Sequence, residues 1–201
     1  MEEKNIFVAT EDDLIKQFCE SKGIKCVNTG KAPTAIDRVK LFSDKINADA
    51  YINVQGDEPI VNPNDIDSIL QYNQKFPDRI VFGKTRANID EFNDYSKAKV
   101  VCSKDDKLLY CSRAGIPLNN KGNFEEAFRA IWIYAFNKAS LDNYYESIDI
   151  SKLEDIEDTE ILRFLEIDIP VYCIDLIGDS WAVDEHKDLN EVEKRIINFE
   201  Q

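Results

Sequence analysis

The sequence predicts a layered α/β fold. Short apolar, β-branched segments alternate with amphipathic helical segments from the first residues onward, a pattern that is typical of α/β domains. With 201 residues, 43% of them apolar, the chain is long and hydrophobic enough to bury a core. No repeat, low-complexity tract or linker interrupts it, so we predict one domain over residues 1–201.

The first half of the chain follows the order β-α-β-α-β-loop-α. Thr10 is the predicted cap of the first helix, and Gly23 is its predicted end. A second amphipathic helix is predicted over residues 34–46, and Pro63 favours the start of a third. The first helix has one apolar face, formed by Leu14, Ile15, Phe18 and Cys19. The predicted strands are residues 5–9, 24–27 and 48–54.

The second half is less regular. A polar turn is predicted at residues 104–107, and helices are predicted at residues 153–165 and 185–199. In the last helix, Val192 and its apolar neighbours at positions 189 and 196 are expected to face inward. Strands are predicted at residues 80–82, 97–102, 108–111, 130–136 and 169–176.

Composition excludes several classes of function. Lys and Arg number 25 against 39 Asp and Glu, and a net charge of −14 argues against nucleic-acid binding, which depends on basic surfaces. No apolar run approaches the roughly 20 residues of a membrane span. Five scattered cysteines without a CxxC pair, and a single histidine, are a poor zinc pattern. Without a signal-peptide pattern either, we expect a reduced, cytoplasmic protein.

The strongest local feature is the polar sequence QGDEP at residues 55–59. It leaves the carboxyl end of an apolar strand, where open α/β sheets bind ligands. Gly56 would let the backbone approach a ligand closely, and Asp57 and Glu58 offer the hard oxygen ligands that Mg²⁺ prefers. The alternative is an ordinary strand-to-helix turn, since Gly, Asp and Pro are common in turns.

A second acidic position is Asp184, where an apolar segment gives way to the last predicted helix. Its simplest role is the N-cap of that helix. A metal-binding role requires Asp184 and Asp57 to meet at the same edge of the sheet, which the predicted topology permits.

Segments along nearly the whole chain also match one enzyme family in the same order. They are FVAT at 7–10, INVQGDEP at 52–59, KVV at 99–101, YCSRAGIP at 110–117, LEDIEDTEILR at 153–163 and VDEHKDL at 183–189. Together they resemble the 3-deoxy-manno-octulosonate cytidylyltransferases (CMP-Kdo synthetases), and their joint order is more specific than any one segment.

The resemblance implies a three-layer α/β/α fold with a mixed sheet, similar to GT-A glycosyltransferases, and usually a homodimer. It implies a Mg²⁺-dependent nucleotidyltransferase that transfers CMP from CTP to the anomeric hydroxyl of a 3-deoxy-octulosonate-type acid sugar, with release of pyrophosphate. Metal-bound carboxylates would suit this reaction, because attack on the α-phosphate builds negative charge.

The resemblance also implies roles for individual residues. Asp57 and Asp184 match the catalytic Mg²⁺ ligands. Three positions match contacts to the acid sugar: Gln55, Tyr134 and Glu160. Three match the nucleotide site: Asp37, Arg38 and Gly56. The alternatives are that Tyr134 is an ordinary sheet aromatic and that Glu160 and Arg163 form a solvated helix pair.

The chain departs from the family pattern in places. The family's opening strand and its basic loop, resembling PARxxSxRLPxKPL, have no counterpart, so we expect an N-terminally truncated fold. TAIDR at 34–38 replaces the family's SGTER-like loop, Ala130 replaces a sugar-contacting His, and Ile161 replaces a Gln. The first change weakens the nucleotide assignment, and the other two leave a different acid sugar, or none, as the ligand. The alternative function is a truncated, non-catalytic relative that binds a sugar or a partner chain.

Other chemically active side chains receive structural interpretations. We expect His186 to lie on a solvated first turn and the cysteines to be small buried hydrophobes. Lys84 and Arg86 are predicted to be surface cations.

Overall fold

The computed structural model describes residues 3–147, 151–178, 180, 182–183 and 186–199. Its strands are β1 (Val8–Thr10), β2 (Cys26–Asn28), β3 (Tyr51–Val54), β4 (Ile80–Ala87), β5 (Lys99–Cys102), β6 (Leu108–Ser112), β7 (Ala127–Phe136) and β8 (Val171–Asp175). Its helices are α1 (Asp13–Ser21), α2 (Ala35–Ser43), α3 (Pro63–Lys75), α4 (Ile89–Asn93), α5 (Lys138–Glu146), α6 (Lys152–Glu157), α7 (Leu162–Glu166) and α8 (His186–Phe199).

These elements group into two compact units. The first comprises Met1–Tyr51 and Phe136–Ile169, and the second comprises Ile52–Ala135 and Pro170–Gln201. The single domain expected from the sequence stays a prediction.

In the first unit, β1 and β2 form a parallel pair, and α2 packs against α5. Buried aromatic rings fill the space between the helices. The Tyr144 ring lies 4.7 Å from that of Phe164, which also stacks on Phe136 at 5.9 Å. Ile36 of α2 is fully buried. The apolar stripe of α2 therefore builds the core of this unit, as its periodicity predicts.

Helix α1 begins two residues later than expected. Its N-cap is Asp12, whose carboxylate accepts the amides of Leu14 and Ile15 at 2.7 and 3.0 Å, whereas Thr10 Oγ1 accepts the amide of Asp12. The prediction of Thr10 as the cap is wrong, because the Asp12 carboxylate reaches two free amides of the first turn, whereas the Thr10 hydroxyl bonds the amide of Asp12 ahead of the helix.

The end of α1 is confirmed at Gly23. Its φ of 69° allows the amide of Ile24 to reach the carbonyl of Cys19 at 2.9 Å, which closes the helix. The apolar face of α1 is only partly covered: Cys19 is buried, but Leu14 is 75% exposed and Phe18 is 59% exposed. Helix α1 packs against β1 and β2, and Cys19 is its one buried residue.

The second unit contains a six-stranded sheet with the order β6-β5-β7-β4-β8, and β3 also pairs with β7. Strand β4 runs antiparallel to β7 and parallel to β8, so the sheet is mixed, as the resemblance implies. Helix α3 covers one face of it, and Ile69 of α3 packs there in a cluster with buried side chains of the sheet and of the residue after β8: Val81, Ile131, Ile133, Ala135 and Leu176. Asn62 caps α3 and Pro63 occupies its first turn, as the sequence predicts.

Lys84 is not a surface cation. It lies on β4 and is 4% exposed, and its ammonium binds the carboxylates of Asp175 at 2.6 Å and Asp106 at 3.2 Å. This prediction failed because the strand predicted over residues 80–82 extends to Ala87, which places Lys84 within β4 rather than in a loop. Arg86, with a 76% exposed side chain, is a surface cation as expected.

The helix predicted over residues 153–165 is wrong. It is two helices, α6 and α7, separated at Asp158, which has a left-handed φ of 48°. The prediction failed because the apolar spacing of the sequence continues across this break. Helices α4 and α5 were not predicted. The closing helix is confirmed from His186 onward, with Val192 buried but Leu189 and Ile196 each 40% exposed.

We predict that Gly83→Ala destabilises the protein. A Cβ at position 83 would lie against Leu176 and 2.8 Å from the backbone oxygen of Ile131, and backbone cannot yield cheaply. We expect a loss of about 1–3 kcal/mol in the free energy of unfolding, measured by urea denaturation. Gly56→Ala is the control, since a Cβ there has no neighbour within 4 Å. Equal stability of both variants would contradict the close packing of β4 on the segment after β8.

Candidate functional site

The QGDEP loop starts where β3 ends at Val54 and runs to the cap of α3. The amide of Glu58 donates to the carbonyl of Gln55 at 3.2 Å, which forms a tight turn. Gly56 at the centre of this turn is exposed. The loop is thus the strand-to-helix turn, and it lies at the carboxyl end of β3. Both the turn and the ligand-binding interpretations are compatible with this geometry.

The loop concentrates negative charge. Burial raises the pKa of the Glu58 carboxyl above its ordinary value, and the neighbouring Asp57 raises it further. A hydrogen bond with Ser180 and the positive charges of Arg129 and Lys97 act in the opposite direction. A cation bound here would relieve the repulsion between the two carboxylates.

The segment that follows β8 returns to this loop. The amide of Val183 donates to the carbonyl of Asp57 at 2.8 Å. Val183 precedes Asp184 directly in the chain, so the backbone is tied to Asp57 one residue before the second predicted ligand. Asp184 itself lies outside the described residues, and both of its predicted roles stay predictions.

The donor chemistry at this edge fits a hard divalent cation. Asp57 and Glu58 supply carboxylate oxygens, which Mg²⁺ prefers, and Mg²⁺ is commonly held by only one or two carboxylates together with substrate phosphates. Among the described residues, no group of three His, Cys, Asp or Glu side chains could hold a metal by itself. Asp57 would therefore need a partner ligand, and Asp184 is the candidate.

The two predicted sugar ligands of this unit, Gln55 and Tyr134, differ in their exposure. Gln55 is partly buried at the start of the loop. Tyr134 is fully buried on β7, with its ring stacked on that of Phe82 at 5.1 Å. The geometry of Tyr134 is that of a sheet aromatic.

In the first unit, Glu160 and Asp37 meet at the amino end of α2. The Glu160 carboxylate accepts the amide of Ile36 at 3.0 Å. Asp37 is fully buried, and its carboxylate accepts the Thr34 hydroxyl at 2.9 Å. Helix amino termini attract negative charge, which accounts for both carboxylates at this position.

Arg163 neutralises two buried acids at this position, Asp37 and Glu154, and sequence reasoning gave it no such role. Its guanidinium holds the Glu154 carboxylate with bonds of 2.5 and 2.6 Å and reaches Asp37 at 3.1 Å. Arg163 is 2% exposed, and the central guanidinium carbon Cζ lies 3.8 Å from the centre of the Tyr144 ring. The solvated-pair alternative for Glu160 and Arg163 is wrong, because Arg163 is buried and pairs with other acids. The signal was an arginine between two apolar helix residues.

Arg38 occupies a more open position on α2. Its guanidinium donates to the Thr29 hydroxyl at 2.9 Å and to the carbonyl of Gly30 at 3.2 Å. Its other contact is with the exposed carboxylate of Glu11 at 3.7 Å. Arg38 therefore borders the loop after β2, whereas its neighbour Asp37 is turned into the core.

Comparison with known proteins defines the class first. The family model described as Cytidylyltransferase matches residues 1–171. A solved structure described as CMP:2-keto-3-deoxy-manno-octonic acid synthetase complexed with CTP superposes with a TM-score of 0.88 at 28% identity, covering 96% of this chain and 80% of the other. A putative glucose-1-phosphate thymidylyltransferase from Bacillus anthracis, at 12% identity and a TM-score of 0.61, shares the fold.

Two similar relatives carry more specific names. The 3-deoxy-manno-octulosonate cytidylyltransferase of Chloroherpeton thalassium is 34% identical over 94% of this chain and 78% of its own length. The 8-amino-3,8-dideoxy-manno-octulosonate cytidylyltransferase of Shewanella frigidimarina is 31% identical over 96% of this chain and 81% of its own length. The chain belongs to the cytidylyltransferase family, and the mixed sheet matches that of the synthetase structure.

Among the described residues, no helix is long and apolar enough to cross a membrane.

We predict that Arg163→Met strongly destabilises the fold. The substitution would leave the buried acids Glu154 and Asp37 without their counter-charge. Breaking a buried ion pair from one side typically costs about 3–5 kcal/mol in the free energy of unfolding, measurable by urea denaturation. Arg86→Met, at an exposed arginine, is the matched control and should have little effect. A loss no larger than that of the control would show that the cluster does not stabilise the protein.

We also predict a pH dependence from Glu160. Burial raises the pKa of its carboxyl above 4.5, and the nearby Glu154 and Asp37 add to this increase. The folded state then holds its proton to higher pH than the unfolded state, so this group lowers stability as pH rises from about 4.5 through the folded pKa. Glu160→Gln cannot titrate.

Urea denaturation at a series of pH values tests this prediction. The stability of Glu160→Gln relative to the parent protein should increase as pH rises through that window. Glu146→Gln, at an exposed position, should show no such trend. A flat difference for Glu160→Gln would contradict the raised pKa.

Proposed function

We propose that this chain transfers CMP from CTP to the anomeric hydroxyl of a 3-deoxy-octulosonate-type acid sugar and releases pyrophosphate. The family assignment supports a cytidylyltransferase, and the relatives' names support this class of sugar. The observation that carries the assignment of the site is the hydrogen bond from Val183 to Asp57, which fixes the backbone beside Asp184 at the QGDEP loop.

In the proposed site, Asp57 and Asp184 hold a magnesium ion. When bound, the ion neutralises the negative charge that builds on the α-phosphate during attack by the sugar hydroxyl. Glu58 fixes the loop through Ser180 rather than serving as a ligand. Gly56, exposed and without a side chain, leaves room for the nucleotide beside the loop.

The remaining predicted residues divide into ligand-facing and supporting groups. We propose that Gln55 and Glu160 bind the sugar, since a carboxylate and an amide oxygen accept hydrogen bonds from its hydroxyls. Arg38, which borders an open loop, is the proposed nucleotide contact. Asp37 and Tyr134 are buried, and we propose that they act by shaping α2 and β7 rather than by direct contact.

We further propose a cytoplasmic homodimer. The five cysteines are free thiols, as a reducing compartment favours. The dimer rests on the family resemblance, and light scattering checks it: the solution mass should be twice the chain mass of 23.1 kDa.

The function is tested by pyrophosphate release from CTP with Mg²⁺, using Kdo and its 8-amino-3,8-dideoxy analogue as acceptors. We expect release to require CTP and one of the two sugars, since the substitutions at Ala130 and Ile161 alter predicted sugar contacts. Folded protein that releases no pyrophosphate with either sugar would favour a non-catalytic, sugar- or partner-binding relative instead.

Asp57→Asn should abolish this activity, because one carboxylate ligand of the proposed metal ion is lost. The fold should stay intact. The expected decrease in turnover is at least about 100-fold. Asp67→Asn, at an exposed aspartate on α3, carries the same charge change and should retain activity. Unchanged turnover of Asp57→Asn would contradict the metal assignment.

A further inference from the structure

A buried aspartate outside the proposed metal pair holds the segment that leads to Asp184. Asp65 lies in the first turn of α3 and is 2% exposed. Its Oδ1 accepts the amide of Ile177 at 2.8 Å, and its Oδ2 accepts the amide of Gly178 at 2.9 Å. Both carboxylate oxygens are thus bound to consecutive amides of the segment after β8.

Three further contacts fix the same segment. Arg129 of β7 donates to the carbonyl of Gly178 at 2.6 Å. The Ser180 hydroxyl donates to the Glu58 carboxylate, and the amide of Val183 reaches the carbonyl of Asp57. The backbone between β8 and α8 is therefore anchored at 177–178, at 180 and at 183.

Asp65 also belongs to the same stretch of chain as Asp57. The two residues are separated by one turn and the cap of α3, where the amide of Asp65 donates to the carbonyl of Asn62 at 3.0 Å. The stretch from residue 57 to residue 65 consequently binds the post-β8 segment at both of its ends.

A buried carboxylate is well suited to this role. Charge-assisted hydrogen bonds are shorter and stronger than neutral ones, and two amides on two oxygens fix a direction as well as a distance. A neutral amide side chain would offer one oxygen and one NH₂ group, so one backbone amide would face another donor.

We infer that Asp65 is a positioning residue for the metal site: it holds the post-β8 segment at residues 177–178, and so fixes the approach of this segment, through Val183, to Asp57. This inference rests on the proposed function, because it gives Asp184 a metal-binding role. Asp65 makes its contacts with backbone and acts only through the segment it holds.

The test is direct Mn²⁺ binding, followed by electron paramagnetic resonance, on Asp65→Asn. We expect about tenfold weaker Mn²⁺ binding, within the range seen when groups that support metal ligands are removed. In turnover assays the metal concentration for half-saturation should rise similarly, with kcat restored at saturating metal. Loss of packing alone would lower kcat without this rescue.

Asp67→Asn is the matched control, because it removes the same charge from an exposed position two residues along the same helix. Its Mn²⁺ affinity should equal that of the parent protein. Equal affinities for Asp65→Asn and Asp67→Asn would overturn the inference.

Two further variants complete the test. Thermal melting reports whether Asp65→Asn folds; if it does not, Asp65→Glu keeps the charge but displaces the carboxylate by one methylene, and the same weakening is expected. Asp57→Asn separates the two proposals. If it leaves Mn²⁺ binding unchanged, the proposed metal site fails; if it abolishes binding while the Asp65 variants bind normally, only the positioning role fails.

Discussion

The hydrogen bond between the amide of Val183 and the carbonyl of Asp57 is the constraint on which the candidate site depends. It joins two segments that lie far apart in the chain, the loop after β3 and the stretch before α8. The sheet makes this meeting possible, because β3 pairs with β7, β7 with β4, and β4 with β8. The buried carboxylate of Asp65 and the guanidinium of Arg129 then hold the second segment in place. The polar loop after β3 and the stretch before α8 are thereby held together.

The sequence predicted the strands and the helices α1, α2, α3 and α8 because they are bounded by strong local signals. Pro63 begins α3 and Gly23 ends α1, each through a backbone preference that acts within a few residues. The break at Asp158 carried a weaker signal, since Asp tolerates a left-handed φ without requiring it and the apolar spacing continued past it. The exposure of the apolar face of α1 was also not predictable. Periodicity shows that residues share a face of a helix, but it does not show which other element covers that face.

The candidate site was predictable to a lesser extent. The QGDEP loop was identified because Gly and two adjacent acids follow the carboxyl end of a strand, where open α/β sheets bind ligands. The supporting residues were missed because their partners are distant in sequence: Asp65 binds amides 112 and 113 positions away, and Arg163 reaches Asp37 across 126 positions. On sequence alone, Asp65 simply follows the proline that begins α3, and a solvated pair with Glu160 was one alternative for Arg163. Only the tertiary fold shows that both residues are buried, that backbone amides bind Asp65, and that Arg163 is paired with acids.

The central claim is that Asp57 and Asp184 share one metal ion. The most direct measurement is a crystal structure of the chain with CTP and Mn²⁺, located by its anomalous scattering. The account predicts an anomalous peak at the carboxyl end of β3, with carboxylate oxygens of both aspartates about 2.0–2.2 Å away, as expected for small divalent cations. A peak bound by neither aspartate, or by Asp57 with Asp184 turned away as a helix cap, would contradict it.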